Sequence, residues 1–243
     1  MPNKLQKFAD IERFENCFSF FFEQIKDGFA IKGKWREEFF KNENPLILEL
    51  GCGRGEYTVG LGQANRNKNY VGIDVKGNRI WTGANFALEN KLTNIAFIRT
   101  RIDFIEHCFG EAEVDEIWIT FPDPQLRLSK AKKRLTHPKF LRLYQQILSP
   151  GGLIHLKTDS PDLYRFTKLV TEMYQCPVHT DNDHVFANEN VSAELAIKTH
   201  YESLDIAGSN RVHYLCFSLP VSLGDREKDG LLKEKLIAHE PAD

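Results

Sequence analysis

No two cysteines in this 243-residue chain are spaced Cys-x-x-Cys. The five present, at 17, 52, 108, 176 and 216, are scattered and odd in number. That argues against a disulfide frame or a zinc site and for reduced thiols in a cytoplasmic setting. No apolar run nears the roughly 18 residues of a membrane span, and no signal peptide or lipidation motif is apparent, so no membrane partner is expected. Neither sign of charge dominates: the formal net charge is −2, which excludes a globally basic nucleic-acid coat. Any polyanion must be met by a local patch. Internal repeats are absent, and so is metal-ligand spacing. The GxGxxG turn of a nicotinamide fold is missing too, which counts against a dehydrogenase.

What the chain does have is alternation. Apolar, β-branched runs at 46–50, 70–74, 95–100, 116–120, 153–158 and 211–219 read as strands. Between them, 56–64, 76–90, 103–109, 137–148 and 161–173 read as helices. This order predicts an α/β fold with a doubly wound, mostly parallel sheet and helices on both faces. Residues 45–219 would form that domain. Residues 1–44 read as an N-terminal helical extension, because Phe14, Phe18, Phe22 and Ile25 recur at helical spacing behind Asp10, a candidate N-cap. That helix would lie on the main domain or offer an aromatic face to a partner. Trp35, in a short basic stretch, would pack rather than touch phosphate. Residues 176–198 are ambiguous, with room for one strand and a loop. The charged tail, 220–243, is expected to fray, with at most a marginal helix at 231–239.

The first strand runs into Gly51-Cys52-Gly53-Arg54-Gly55, a turn tight enough for a ligand to approach the backbone. Glu49 lies inside that strand, Asp74 ends the next, and Asp103 follows the third. An acid at the second strand end can accept from both hydroxyls of a ribose. Asp103 is placed to meet an adenine amine, and Glu49 to meet an ammonium. Three acids suit a cationic ligand such as S-adenosylmethionine and would repel a diphosphate. Each acid also has an ordinary use, as an ion pair, a strand-end cap or a helix N-cap. All three together favour the cofactor.

The fourth strand stops at Phe121-Pro122-Asp123-Pro124. Two prolines remove two backbone donors and stiffen the turn around Asp123. Arg127, Lys130, Lys132, Lys133, Arg134, Lys139 and Arg142 follow with no acid among them. A fixed carboxylate before a cationic run suggests a reaction centre beside a polyanion, although such runs often only face water.

These segments, LELGCGRGEY, GIDVKGNR, ITFPDP with KKRL, HLKTD and THYE, resemble in order the bacterial tRNA (guanine-N7-)-methyltransferase family, from about residue 46 to 219. The resemblance implies a Rossmann-like class I methyltransferase fold and transfer of a methyl group from S-adenosylmethionine to N7 of a guanosine in the tRNA variable loop. It implies cofactor contacts at Glu49, Gly51, Gly53, Asp74 and Asp103, and a catalytic acid at Asp123. It also implies substrate contacts at Arg127, Asp159, Thr199, His200, Tyr201 and Glu202. The RNA-contact loop would comprise Ser129, Lys130, Lys132, Lys133 and Arg134. Gln125 stands where the family has a tryptophan, and Arg127 where it has a lysine. The alternatives are a class I methyltransferase for a small molecule or protein, which leaves the basic run idle, and a non-catalytic RNA-binding module, which leaves the acids idle.

Guanine N7 carries an in-plane lone pair and needs no deprotonation. Such a site needs alignment and acceptors for the base's N–H groups, not a strong general base. No histidine or cysteine in the sequence is placed as a nucleophile with a base beside it.

Overall fold

The apolar runs between the glycine and proline breaks become strands of one sheet. In the computed structural model, which describes residues 2–26, 28–187, 190–199, 202, 208, 211–224 and 227–238, the elements follow in this order. They are α1 (Lys4–Ile11), β1 (Cys17–Ser19), α2 (Phe22–Ile25), β2 (Leu46–Leu50), α3 (Glu56–Ala64), β3 (Asn69–Asp74), α4 (Gly77–Glu89) and β4 (Ile95–Arg99). Then come α5 (Ile105–Cys108), β5 (Val114–Thr120), α6 (Pro138–Ile147), β6 (Leu148–Thr158), α7 (Pro161–Met173), β7 (Val178–Asn182), α8 (Ala193–Ala196), β8 (His213–Ser218) and α9 (Glu227–Ala238).

The described strands form an eight-stranded sheet in the order β1-β4-β3-β2-β5-β6-β8-β7. All pairs are parallel except those made by β8, which runs antiparallel to β6 and β7. Every residue of β2 is buried, as expected of a parallel strand covered on both faces. One face carries α1, α3 and α4 through Ile11, Val59, Ile80 and Ala84 against Ile95 and Phe97. The other carries α5, α6 and α7 through Ile105, Leu141, Tyr144 and Val170 against Leu48, Ile117 and Leu156. Strand order reverses between β2 and β5, which pair Leu48 with Ile117 and Glu49 with Trp118. Ligands of open α/β sheets sit outside the carboxyl ends of the strands at such a reversal.

The N-terminal segment departs from expectation. The phenylalanine spacing predicts a helix through 14–25, yet β1 pairs in parallel with β4, Cys17 opposite Phe97. Backbone donors and acceptors at the open β4 edge win over a short aromatic-rich helix: Phe97 N donates to Asn16 O at 2.8 Å and Phe20 N to Arg99 O at 3.0 Å. Asp10 does not cap that helix; it accepts from Trp81 Nε1 at 2.8 Å. Trp35 packs, fully buried, with its Nε1 donating to Cys108 O at 3.0 Å. The tail also departs. Asp229 of α9 accepts two bonds from Arg142, at 2.9 and 3.0 Å, and one from Tyr174 at 2.5 Å. Leu232 is buried against the core, so α9 is docked.

Candidate active site

The glycine turn is shaped by the strand beside it. Gly51 N and Cys52 N both donate to Ile73 O, at 2.8 and 3.0 Å. Gly51, Gly53 and Gly55 have φ of 76°, 56° and 75°, a region that costs other residues strain. At Gly55 the reason is also space, since a Cβ would meet the Phe97 ring at 2.6 Å. At Gly51 a Cβ would meet nothing closer than Leu135 at 3.9 Å; here the turn faces open room.

Asp74 ties this turn to the end of β3. Its Oδ2 accepts from Gly53 N at 3.0 Å and its Oδ1 from Lys76 N at 2.8 Å. Next to it, Thr100 N donates to Asp74 O at 3.1 Å, while the buried Thr100 Oγ1 has no partner among the described residues. Glu49 is buried, 3% exposed. Its Oε2 accepts from Thr58 N at 2.7 Å and from the Thr58 hydroxyl, and its Oε1 from Thr120 Oγ1 at 2.6 Å. Burial pushes its carboxyl up to about 7 despite these donors. Asp103 makes ion pairs with Lys139 and Arg101. Burial works against its charge, but the two cations outweigh burial and hold its carboxyl below the ordinary range. This acid-lined turn with room before Gly51 and an unpaired hydroxyl beside Asp74 fits a cationic nucleoside such as S-adenosylmethionine.

Across the strand reversal stands the proline turn. Phe121 and Gln125, neither a glycine, have φ of 44° and 49°. Backbone strain of this kind is held only where the surroundings fix it. Part of the fixing is Asp123 itself: its exposed side chain accepts from Gln125 N at 3.0 Å. The other part is Arg134. Expected in the RNA-contact loop, Arg134 is instead 6% exposed. Its guanidinium donates to Pro124 O, Gln125 O and Leu126 O at 3.2–3.3 Å and lies 4.5 Å from the Phe166 ring centre. Inward carbonyls would otherwise be orphaned, and a five-donor fork can satisfy them together. Arg127, Ser129, Lys130, Lys132 and Lys133 remain exposed on the following 3₁₀ turn. Lys139 and Arg142, the last cations of the run, pair with Asp103 and Asp229.

On the guanosine side, Asp159 is half-buried just past β6. Thr199 is buried, and its Oγ1 accepts from Glu202 N at 3.1 Å. His200 and Tyr201 lie outside the described residues. Glu202 is held by a residue the sequence reading passed over: Lys157, with a side chain of zero exposure, donates to Glu202 Oε2 at 3.0 Å. A lysine inside the strand LIHLKT was the available signal, since lysine is almost never fully buried unless paired.

Comparison with known proteins decides the family. A family model described as "Putative methyltransferase" matches residues 43–214. The tRNA (guanine-N(7)-)-methyltransferase of Bacteroides thetaiotaomicron is 43% identical over 96% of this chain and 89% of that protein. The chain belongs to the tRNA (guanine-N(7)-)-methyltransferase family. A second member, from Porphyromonas gingivalis, is 46% identical over 86% of each chain. The solved structure of the 16S rRNA methyltransferase KamB superposes with a TM-score of 0.57 at 13% identity, covering 76% of this chain and 92% of that one. That likeness shows the class I methyltransferase fold that the family resemblance implied.

Proposed function

We propose that this family member methylates N7 of a guanosine in the variable loop of tRNA, with S-adenosylmethionine as donor, in the cytoplasm. One observation carries the reading: an acid-lined glycine turn and a strained proline turn bearing an exposed carboxylate end adjacent strands, with free surface cations beyond. A small-molecule site would have no use for those cations.

Asp74, Asp103 and Glu49, with the backbone of Gly51 and Gly53, would hold the cofactor. When bound it supplies an electrophilic methyl on a sulfonium. The protein's own work is then alignment, which can lower a barrier by on the order of 7–11 kcal/mol. Asp123 Oδ1 is engaged by Gln125 N, which fixes the carboxylate's direction and leaves Oδ2 for the guanine. Asp159 and Glu202 are further acceptors for N1–H and the amino group. Those protons become more acidic as the purine gains charge, so the bonds strengthen along the reaction. Arg127, Lys130, Lys132 and Lys133 would neutralise phosphates, with His200 and Tyr201 against base or ribose.

Labelled cofactor and unmodified tRNA, incubated and digested, should yield 7-methylguanosine. Asp123→Asn should cut turnover far more than tRNA affinity. Label recovered only in protein or small molecules would overturn the substrate assignment, and equal losses in turnover and affinity would overturn the role of Asp123.

A further inference from the structure

Lys157 is a cation with no water around it. Its side chain has zero exposure. The ammonium donates to Ile197 O at 2.8 Å and Glu202 Oε2 at 3.0 Å. The rings of Tyr57 and Phe121 lie 5.3 Å away and that of Phe186 5.7 Å. One side chain therefore touches α3 through Tyr57, the proline turn through Phe121, and the segment leading to Glu202. Register places it opposite Thr120 of β5, and Thr120 donates to Glu49.

Glu202 is the other half of the arrangement. Its side chain is 7% exposed, and Oε1 is buried without a hydrogen bond among the described residues. Buried carboxylate oxygens are rarely left unpaired, so an acceptor of this kind points to a donor that arrives with a ligand.

We infer that Lys157 is a positioning residue, which holds Glu202 by its Oε2 and so aims the open Oε1 at an N–H donor of the guanine. This rests on the reading of Glu202 as a guanine acceptor. Among the described residues, the other charged or titratable groups facing the pair are Tyr57 from α3 and Lys198 from the same segment. Lys198 repels Lys157, and Tyr57 carries no charge there because burial pushes its phenol far up.

The test compares Lys157→Met, Glu202→Gln and the double variant, reading kcat and tRNA KM, with melting and cofactor binding as controls for folding. In Lys157→Met kcat should fall by about tenfold or more, because the acceptor is no longer held in line with the guanine. The tRNA KM should hardly change, because the phosphate contacts lie elsewhere. In the Glu202→Gln background the same substitution should change kcat by less than about twofold, since coupled residues do not add. Equal losses in kcat and in tRNA affinity, or an equal loss of kcat in the Glu202→Gln background, would overturn the inference. Should Lys157→Met fail to fold, the double variant, which buries no lone charge, still decides by comparison with Glu202→Gln alone. Full activity in Glu202→Gln would instead remove the underlying reading of Glu202.

Discussion

Arg134 is the residue on which sequence and structure differ most, and its replacement by methionine separates the two readings. In the fold it donates to three carbonyls at 3.2–3.3 Å and stacks on Phe166. A hydrogen bond from a charged donor contributes about 1.5–3 kcal/mol. The long distances here put each at the low end, and methionine keeps part of the packing. Losing the bonds to all three carbonyls should cost about 4–5 kcal/mol. For a chain of this size roughly 2–4 °C of melting temperature go with each kcal/mol, so the melt should fall by about 8–20 °C. Turnover should fall as well, since the carbonyls it holds shape the turn that carries Asp123. The salt dependence of tRNA binding should be unchanged. A phosphate contact contributes about 0.7–0.9 to the slope of log affinity against log salt, and a buried guanidinium makes none. Paired Lys132→Ala and Lys133→Ala should do the reverse: lower the slope by about 1.4–1.8 and leave the melt in place. If Arg134→Met leaves the melt within about 1 °C while the slope drops by nearly one, the clamp is wrong and Arg134 grips RNA.

Glu49 makes stability depend on pH. Between its ordinary value of 4.5 and about 7 the unfolded chain ionises first. Stability should therefore fall by about 3 kcal/mol as pH rises through that window, then level off. Denaturant titrations of Glu49→Gln should lose this slope, and an unchanged slope would count against the buried acid. Asp229→Ala should release α9 from Arg142 and Tyr174 at a cost of about 1–2 kcal/mol, seen as faster amide exchange confined to 227–238. Exchange rising equally throughout the molecule would contradict local docking. Gly55→Ala should destabilise by about 1–3 kcal/mol, because its new Cβ would strike Phe97 at 2.6 Å; a melt equal to the parent's would show that the ring yields freely.

The sheet was legible because its signals are local. Apolar runs of five or six residues identify 46–50, 69–74 and 95–99 almost to the residue, the first ended by glycine and the second by aspartate. Glu49, Asp74 and Asp123 stand out as candidates for a similar reason: an acid within or just after an apolar strand is visible in one line of sequence. What failed was whatever depended on a distant neighbour. A helical spacing of phenylalanines cannot reveal that β4 has an open edge. A run of cations cannot reveal which member turns inward, and Arg134 is told from Lys133 only by the carbonyls of residues 124–126. Lys157 belongs to this group too, since its partner lies 45 positions away in the chain.

The short strand at Cys17–Ser19 has an effect beyond its size. It occupies the flank of β4 that would otherwise expose a ladder of unsatisfied amides and carbonyls. A bare ladder of that kind recruits whatever extended peptide comes near, including a sister molecule. The opening twenty residues thus act as a guard against self-adhesion, and protein trimmed of them should clump before its pocket is harmed.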